Sequence, residues 1–166
     1  MAKEHLLWRW MAKEAKDIAG LHMNRVENTL QEGYPDVQLC YRGGYADVEL
    51  KGTLTPKTLE TPVDVSFRPN QIPWLMQRQA AGGNAWCLLQ VYQTGIYLLS
   101  PDCLFEVRKG VTVTRLQAMS PLAKNADFRD FLWYMTAYPD PLPERHDDDA
   151  WKRRRIDCLR TLCAGA

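Results

Sequence analysis

The chain has 166 residues, 46% of them hydrophobic and 25% charged, with a formal net charge of +1. That suits one ordinary globular domain with a sizeable core, and near-neutrality argues neither for nor against a nucleic-acid partner, so any basic surface must be local. No apolar run reaches the length of a membrane span. The early, dense charges of MAKEHLLWRWMAKEAKD are not those of a signal peptide, and five cysteines without a CxxC pair argue against both a disulfide framework and a zinc site. The expectation is a cytoplasmic protein with reduced thiols.

Residues 2–31 contain no proline and carry Leu7, Met11, Ala15, Ile18, Leu21, Val26 and Leu30 at helical spacing, which predicts a helical region that Gly20 breaks or kinks. Gly33 and Pro35 end it. Asp36 to Tyr41 alternates in strand fashion with Val37, Leu39 and Tyr41 on one face. Arg42-Gly43-Gly44 signals a turn, and Tyr45 to Leu50 returns as the second strand of a hairpin. Residues 52–65, rich in threonine, read as a loop. Asn70 to Ala81 reads as a helix with Pro73 in its first turn and Gly82-Gly83 as its stop. The apolar run Ala85 to Tyr92 predicts a buried strand, with Ile96 to Leu99 pairing back across Thr94-Gly95. Further on, Asp102 to Lys109 reads as a short helix and Val111 to Leu116 as a strand. Asp127 to Ala137 reads as a helix with Phe128, Phe131, Leu132 and Met135 inward. A proline-rich linker from residue 139 leads to an arginine-rich final helix, Asp149 to Leu162. The expected fold is α/β, a central mixed sheet flanked by helices, with a main domain over 1–138 and a linker and basic C-terminal helix over 139–166.

The hairpin carries the chemistry. Side chains alternate along a strand, so Glu49 and Lys51 project together, with Asp47 as a third member of that face. A turn at Arg42-Gly43 sets residue 36 opposite residue 49, and opposed side chains stand about 4.5–5.5 Å apart at Cβ. Two carboxylates that close repel unless a cation lies between them. Mg2+ (or Mn2+), held by Asp36, Glu49 and the Leu50 carbonyl, supplies that charge and acidifies water for attack on a phosphodiester. Lys51 would orient that water or offset charge on the phosphate. Glu27, on the helix leading into the strand, adds a further acid, and Arg25 beside it offers a phosphate contact. As bland alternatives, Glu27 is a solvated helix residue and an ExK spacing is an ordinary same-face ion pair.

The order R-x-E-N, G-x-P-D-V and x-V-E-L-K, followed by a helix bearing a glutamine, resembles the PD-(D/E)xK nuclease superfamily. The similarity covers roughly residues 24–100 and is to phage members of the virus-type replication-repair and Holliday-junction-resolvase-like kinds. The resemblance implies a restriction-endonuclease-like core. It also implies that Asp36 is the acid of the PD half, Glu49 and Lys51 the ExK half, Glu27 the acid of the first core helix and Gln71 the glutamine of the following helix. Asp47 stands where such members often carry an aromatic or apolar residue, and is either an adjustment of metal binding or a salt-bridge partner. The sequence after residue 101 has no counterpart there.

His5, His22 and His146 do not cluster with acids at ligand spacing. Cys40 sits where a small buried hydrophobe is expected. Lys152, Arg153, Arg154 and Arg155 form the sharpest basic cluster and could clamp phosphates, although acids before bases also suit a plain helix. Two functions from different classes follow. One is a magnesium-dependent, phage-encoded deoxyribonuclease of replication, repair, recombination or host-DNA degradation, dimeric if it resolves branched DNA. The other is a non-catalytic DNA- or protein-binding accessory on the same fold, docking a phage or host protein through its C-terminal region.

Overall fold

The computed structural model describes residues 2–26, 33–122 and 126–136. Chain order is α1 (Ala2–Ala15), β1 (Leu21–Arg25), β2 (Val37–Tyr41), β3 (Gly44–Thr53), α2 (Gln71–Ala80), β4 (Ala85–Val91), β5 (Gly95–Leu99), a 3-10 turn (Pro101–Cys103), α3 (Leu104–Lys109), α4 (Val113–Met119) and α5 (Phe128–Thr136). The five strands form one sheet in the order β1-β2-β3-β4-β5. Every neighbouring pair is antiparallel except β3 and β4, which run parallel because α2 carries the chain back across the sheet. A mixed five-stranded sheet with helices on both faces is consistent with a restriction-endonuclease-like α/β fold.

Period-two alternation sorts the strand side chains between two cores. Val37, Leu39 and Tyr41 of β2 and Ala46, Val48 and Leu50 of β3 pack against Leu7 and Met11 of α1 and Phe128, Phe131, Leu132 and Met135 of α5. On the other face Cys87, Leu89 and Val91 of β4 meet Ile72 and Leu75 of α2, Leu104 and Val107 of α3, and Val113 and Leu116 of α4. Each such fully buried aliphatic side chain stabilises the fold by roughly 1.5–3 kcal/mol. The β2–β3 turn follows from Arg42 and Gly43, both at positive φ (50° and 82°), the backbone of a two-residue hairpin turn whose twist matches its strands.

Three expectations are corrected. The helical region expected over 2–31 stops at Ala15, and Leu21 to Arg25 is an edge strand paired with β2. Its sequence, Leu-His-Met-Asn-Arg, alternates apolar and polar, and this period won over the looser helical spacing. Val111 to Leu116 is not a strand. Only Val111 pairs, in a single bridge with Val63, and Thr112 caps α4 by accepting from the Arg115 N–H at 3.1 Å. Cys40 is exposed, since the β2 core face belongs to residues 37, 39 and 41. The linker and basic helix expected over 139–166 lie outside the described residues, so the expected domain division stays an expectation. Among the described residues no helix is long and apolar enough to cross a membrane.

Candidate active site

The register of the first hairpin assembles the site. Val37 pairs with Val48, so Asp36, one residue before β2, stands at the level of Glu49. The Asp36 carboxylate closes the ladder itself: its Oδ2 accepts the Leu50 N–H at 2.9 Å, where the next backbone acceptor of β2 would be. Its own carbonyl accepts the Val26 N–H at 2.8 Å, which ties it to the end of β1. On β3, Asp47, Glu49 and Lys51 alternate with the core residues Ala46, Val48 and Leu50, so all three face the α2 side of the sheet. All are buried, and so is Gln71 at the start of α2.

Glu49 lies at the centre and is 0% exposed. Its Oε1 receives the Lys51 amine at 2.7 Å and the Gln71 side-chain amide. The orientation of that amide is fixed from behind, because Gln71 Oε1 accepts the Arg68 N–H at 2.9 Å. Glu49 Oε2 is buried with no hydrogen-bond partner. A buried carboxylate oxygen without a donor is costly unless the group is protonated or a cation approaches it. Burial, followed by the negative charge of Asp36, accordingly pushes the Glu49 pKa up to about 8, against the opposing pull of Lys51. Burial also raises Asp36, which the Leu50 N–H and the Lys51 charge only partly offset. For Lys51, burial works against the charged amine, yet the charge and hydrogen bond of Glu49, with Glu4 behind them, hold its pKa above the usual lysine value.

Three groups at the site were not foreseen from the sequence. Glu4, in the first turn of α1, places Oε1 at 3.5 Å from the Lys51 amine. Phe67 lies beneath that amine, 5.4 Å from nitrogen to ring centre. Arg68, exposed and next in the chain, is near enough that its charge lowers both Asp36 and Glu49. Among the described residues, Glu4 is the acid of α1 that reaches this centre. Glu27, expected in that role, lies outside the described residues. Only the position of Glu4 in an acidic first helical turn hinted at it, because contact across 47 residues is set by helix-to-sheet packing. Arg25 is exposed at the end of edge strand β1, not on a helix as expected. Lys152, Arg153, Arg154 and Arg155 lie outside the described residues.

Asp47 faces the same way as Glu49 but is taken up differently. Tyr45 Oη donates to its Oδ1 at 2.7 Å, Gln38 Nε2 at 3.2 Å, and Arg78 Nε donates to its Oδ2 at 2.8 Å. Of the two roles open to it, it fills the salt-bridge one.

Among the described residues no three His, Cys, Asp or Glu stand close enough to hold one metal ion. The donor set is two carboxylates, Asp36 and Glu49, plus the carbonyl of Leu50. Carboxylates and a carbonyl are the donors of a small hard cation that keeps several waters, and the buried Glu49 Oε2, without a hydrogen-bond partner, leaves lone pairs for one. Around buried Glu49, Asp36 is partly exposed, Arg68 is exposed and the Glu4 side chain is 34% exposed.

No protein-family model matches the chain, and no curated protein matches it. Among solved structures the chain is similar to Hjc of Archaeoglobus fulgidus, a Holliday junction resolvase from an archaeal hyperthermophile, at 16% identity and a TM-score of 0.42, over 69% of this chain and 97% of that one.

Proposed function

We propose that this protein is a divalent-metal-dependent deoxyribonuclease of the PD-(D/E)xK type, of the kind phages encode, hydrolysing DNA phosphodiesters during replication, repair, recombination or host-DNA degradation. The observation that carries the reading is the buried Glu49 carboxylate, with one oxygen bound by Lys51 and Gln71, the other without a partner, and Asp36 facing it from the next strand. Mg2+ or Mn2+ bound by Asp36, Glu49 and the Leu50 carbonyl would bring Lewis acidity to the phosphate and acidify the attacking water. Lys51 does the protein's own share. Its amine, 2.7 Å from Glu49 Oε1 and 3.5 Å from Glu4 Oε1, orients the attacking water and offsets charge growing on the scissile phosphate. Gln71 holds Glu49 in one orientation, so the carboxylate need not reorganise during reaction. Arg68 offers an exposed guanidinium to an adjacent phosphate, and Lys152, Arg153, Arg154, Arg155 and Arg25 extend the contact along the DNA.

The test is incubation of the full chain with linear, nicked, flap and four-way DNA in Mg2+ or Mn2+, with a chelator control. Cleavage is expected for the parent chain and lost in Asp36→Asn, Glu49→Gln and Lys51→Ala. Cleavage that persists in all three variants overturns the reading. Preference for the four-way substrate together with a two-chain mass in solution would identify a resolvase acting as a homodimer.

One observation favours a second reading, a non-catalytic DNA- or protein-binding accessory. Glu49, Lys51 and Gln71 are each at most 5% exposed, and Lys51 and Gln71 both donate to Glu49. Manganese titration separates the two. A site that binds Mn2+ and loses it in both Asp36→Asn and Glu49→Gln belongs to the nuclease, and a chain that binds none belongs to the accessory.

A further inference from the structure

We infer that Arg78 and Asp47 are positioning residues for the reaction, a latch that sets the slide of α2 along β3 and thereby places Gln71 on Glu49. The inference rests on the nuclease reading for its consequence in turnover, but the geometry stands by itself. Gln71 and Arg78 are seven residues apart on α2, about two turns and ~10.5 Å along the axis, and so lie on one helix face. Asp47 and Glu49 are two residues apart on β3, on one strand face, ~6.7 Å from each other along the strand. The two polar side chains of that helix face thus meet the two buried acids of that strand face, Gln71 on Glu49 and Arg78 on Asp47. Two fixed points determine both the slide and the rotation of a helix. The apolar contacts of Ile72 and Leu75 hold the helix against the sheet.

The far end of the latch is built to be rigid. Asp47 is 1% exposed and both its oxygens are engaged, by Tyr45, Gln38 and Arg78. Gln38 also donates to Tyr34 Oη at 2.7 Å, and the Tyr34 ring packs on Trp74 of α2 at 5.1 Å between centres. The Arg78 guanidinium lies over the Tyr45 ring, 5.7 Å from its centre. A Cβ at Gly83 would come within 2.9 Å of Arg78 Nε, so glycine there leaves the path that the guanidinium takes to Asp47. Gly83 therefore serves the latch, while Gly82, at positive φ, serves the helix stop. The Asp47 N–H, bound to the Asn84 carbonyl at 2.8 Å, ties the same acid to the segment that enters β4.

A structural staple would cost stability without acting through Gln71, and a double-mutant cycle tells the two apart. On the metal-loaded full chain, Arg78→Ala is expected to lower kcat between about ten- and a hundredfold with KM nearly unchanged. The same change in a Gln71→Ala background should add little, and Arg78→Lys should recover part of the loss. Multiplicative losses, or an unchanged kcat in Arg78→Ala, overturn the inference. The side-chain amide signals of Gln71 in a nitrogen–proton NMR spectrum supply a readout that needs no turnover. They should shift and exchange faster with water in Arg78→Ala, and in Arg78→Lys if the alanine variant melts below the measuring temperature. Unmoved Gln71 signals sink the latch whatever the activity. A parent chain that cleaves no DNA yet shows the moved signals leaves the latch standing and sinks the nuclease.

Discussion

Asp47 and Glu49 sit two residues apart on one face of one strand, and both are buried. Asp47 has donors on both oxygens, one of them an arginine that is 43% exposed at its side chain. Glu49 has donors on one oxygen and none on the other, and an acid for a neighbour. Burial alone therefore does not mark a functional carboxylate. A fully bonded buried acid has nothing left to offer and acts as a fastener, while an acid with an unmet lone pair keeps a place for a proton or a cation.

The largest effect that tests this contrast is on turnover. Lys51→Ala should cost about 10²–10³-fold in kcat, and Glu49→Gln at least as much, whereas Asp47→Asn should leave most of the metal affinity in place. Loss of Mn2+ binding in Asp47→Asn equal to that in Glu49→Gln would erase the distinction. Next comes stability. Asp47→Ala strips Arg78, Tyr45 and Gln38 of their shared acceptor and should cost about 2–3 kcal/mol in urea unfolding at pH 7.

The pH dependence is smaller and has a definite sign. Glu49 holds its proton in the folded chain up to about 8, while the unfolded chain releases it near the ordinary value of 4.5. Between those limits the folded state binds more protons, so metal-free stability falls as pH rises, by at most about 1.4 kcal/mol per pH unit, and levels off above the folded pKa. The raised Asp36 adds in the same direction. Thermal melts from pH 5 to 9 should show this slope in the parent chain and a flatter one in Glu49→Gln, with Mn2+ stabilising most at the alkaline end. The smallest effect belongs to Arg68. Arg68→Ala should weaken DNA binding about uniformly across sequences and reduce the log–log salt slope by about one.

The part of the fold that local patterning controls was legible in the sequence. The β2–β3 hairpin, α2 with its glycine stop, the β4–β5 pair and the inward face of α5 all follow from alternation, turn residues and helical spacing. Misreadings arose where two local signals competed. Val-Thr-Val-Thr at residues 111–114 reads as strand by β-branching, but Thr112 spends its hydroxyl on capping a helix instead. The site was legible as far as the hairpin register brings Asp36, Glu49 and Lys51 together. Glu4, Phe67 and Arg68 were not, because they arrive from α1 and from the loop before α2, and their approach depends on packing between elements that no spacing encodes. The opposite fates of Asp47 and Glu49 were equally hidden, since they hinge on which α2 side chain lands on which acid.

A Cβ at Gly44 would collide with the carbonyl of Thr136, so the absence of a side chain there lets the last turn of α5 rest on the β2–β3 turn. Gly44 opens β3 and Lys51 lies seven residues further along it, about 23 Å away. Thr136, at the end of α5, thus stands at the end of the sheet remote from Asp36 and Glu49. Fifteen residues lie between Thr136 and Lys152, enough when stretched to travel about 50 Å. On the nuclease reading, that tether is long enough for the basic run Lys152 to Arg155 to reach DNA held beside Asp36 and Glu49, and equally to reach a duplex on the far flank. Shortening that stretch to fewer than about seven residues would allow only the second.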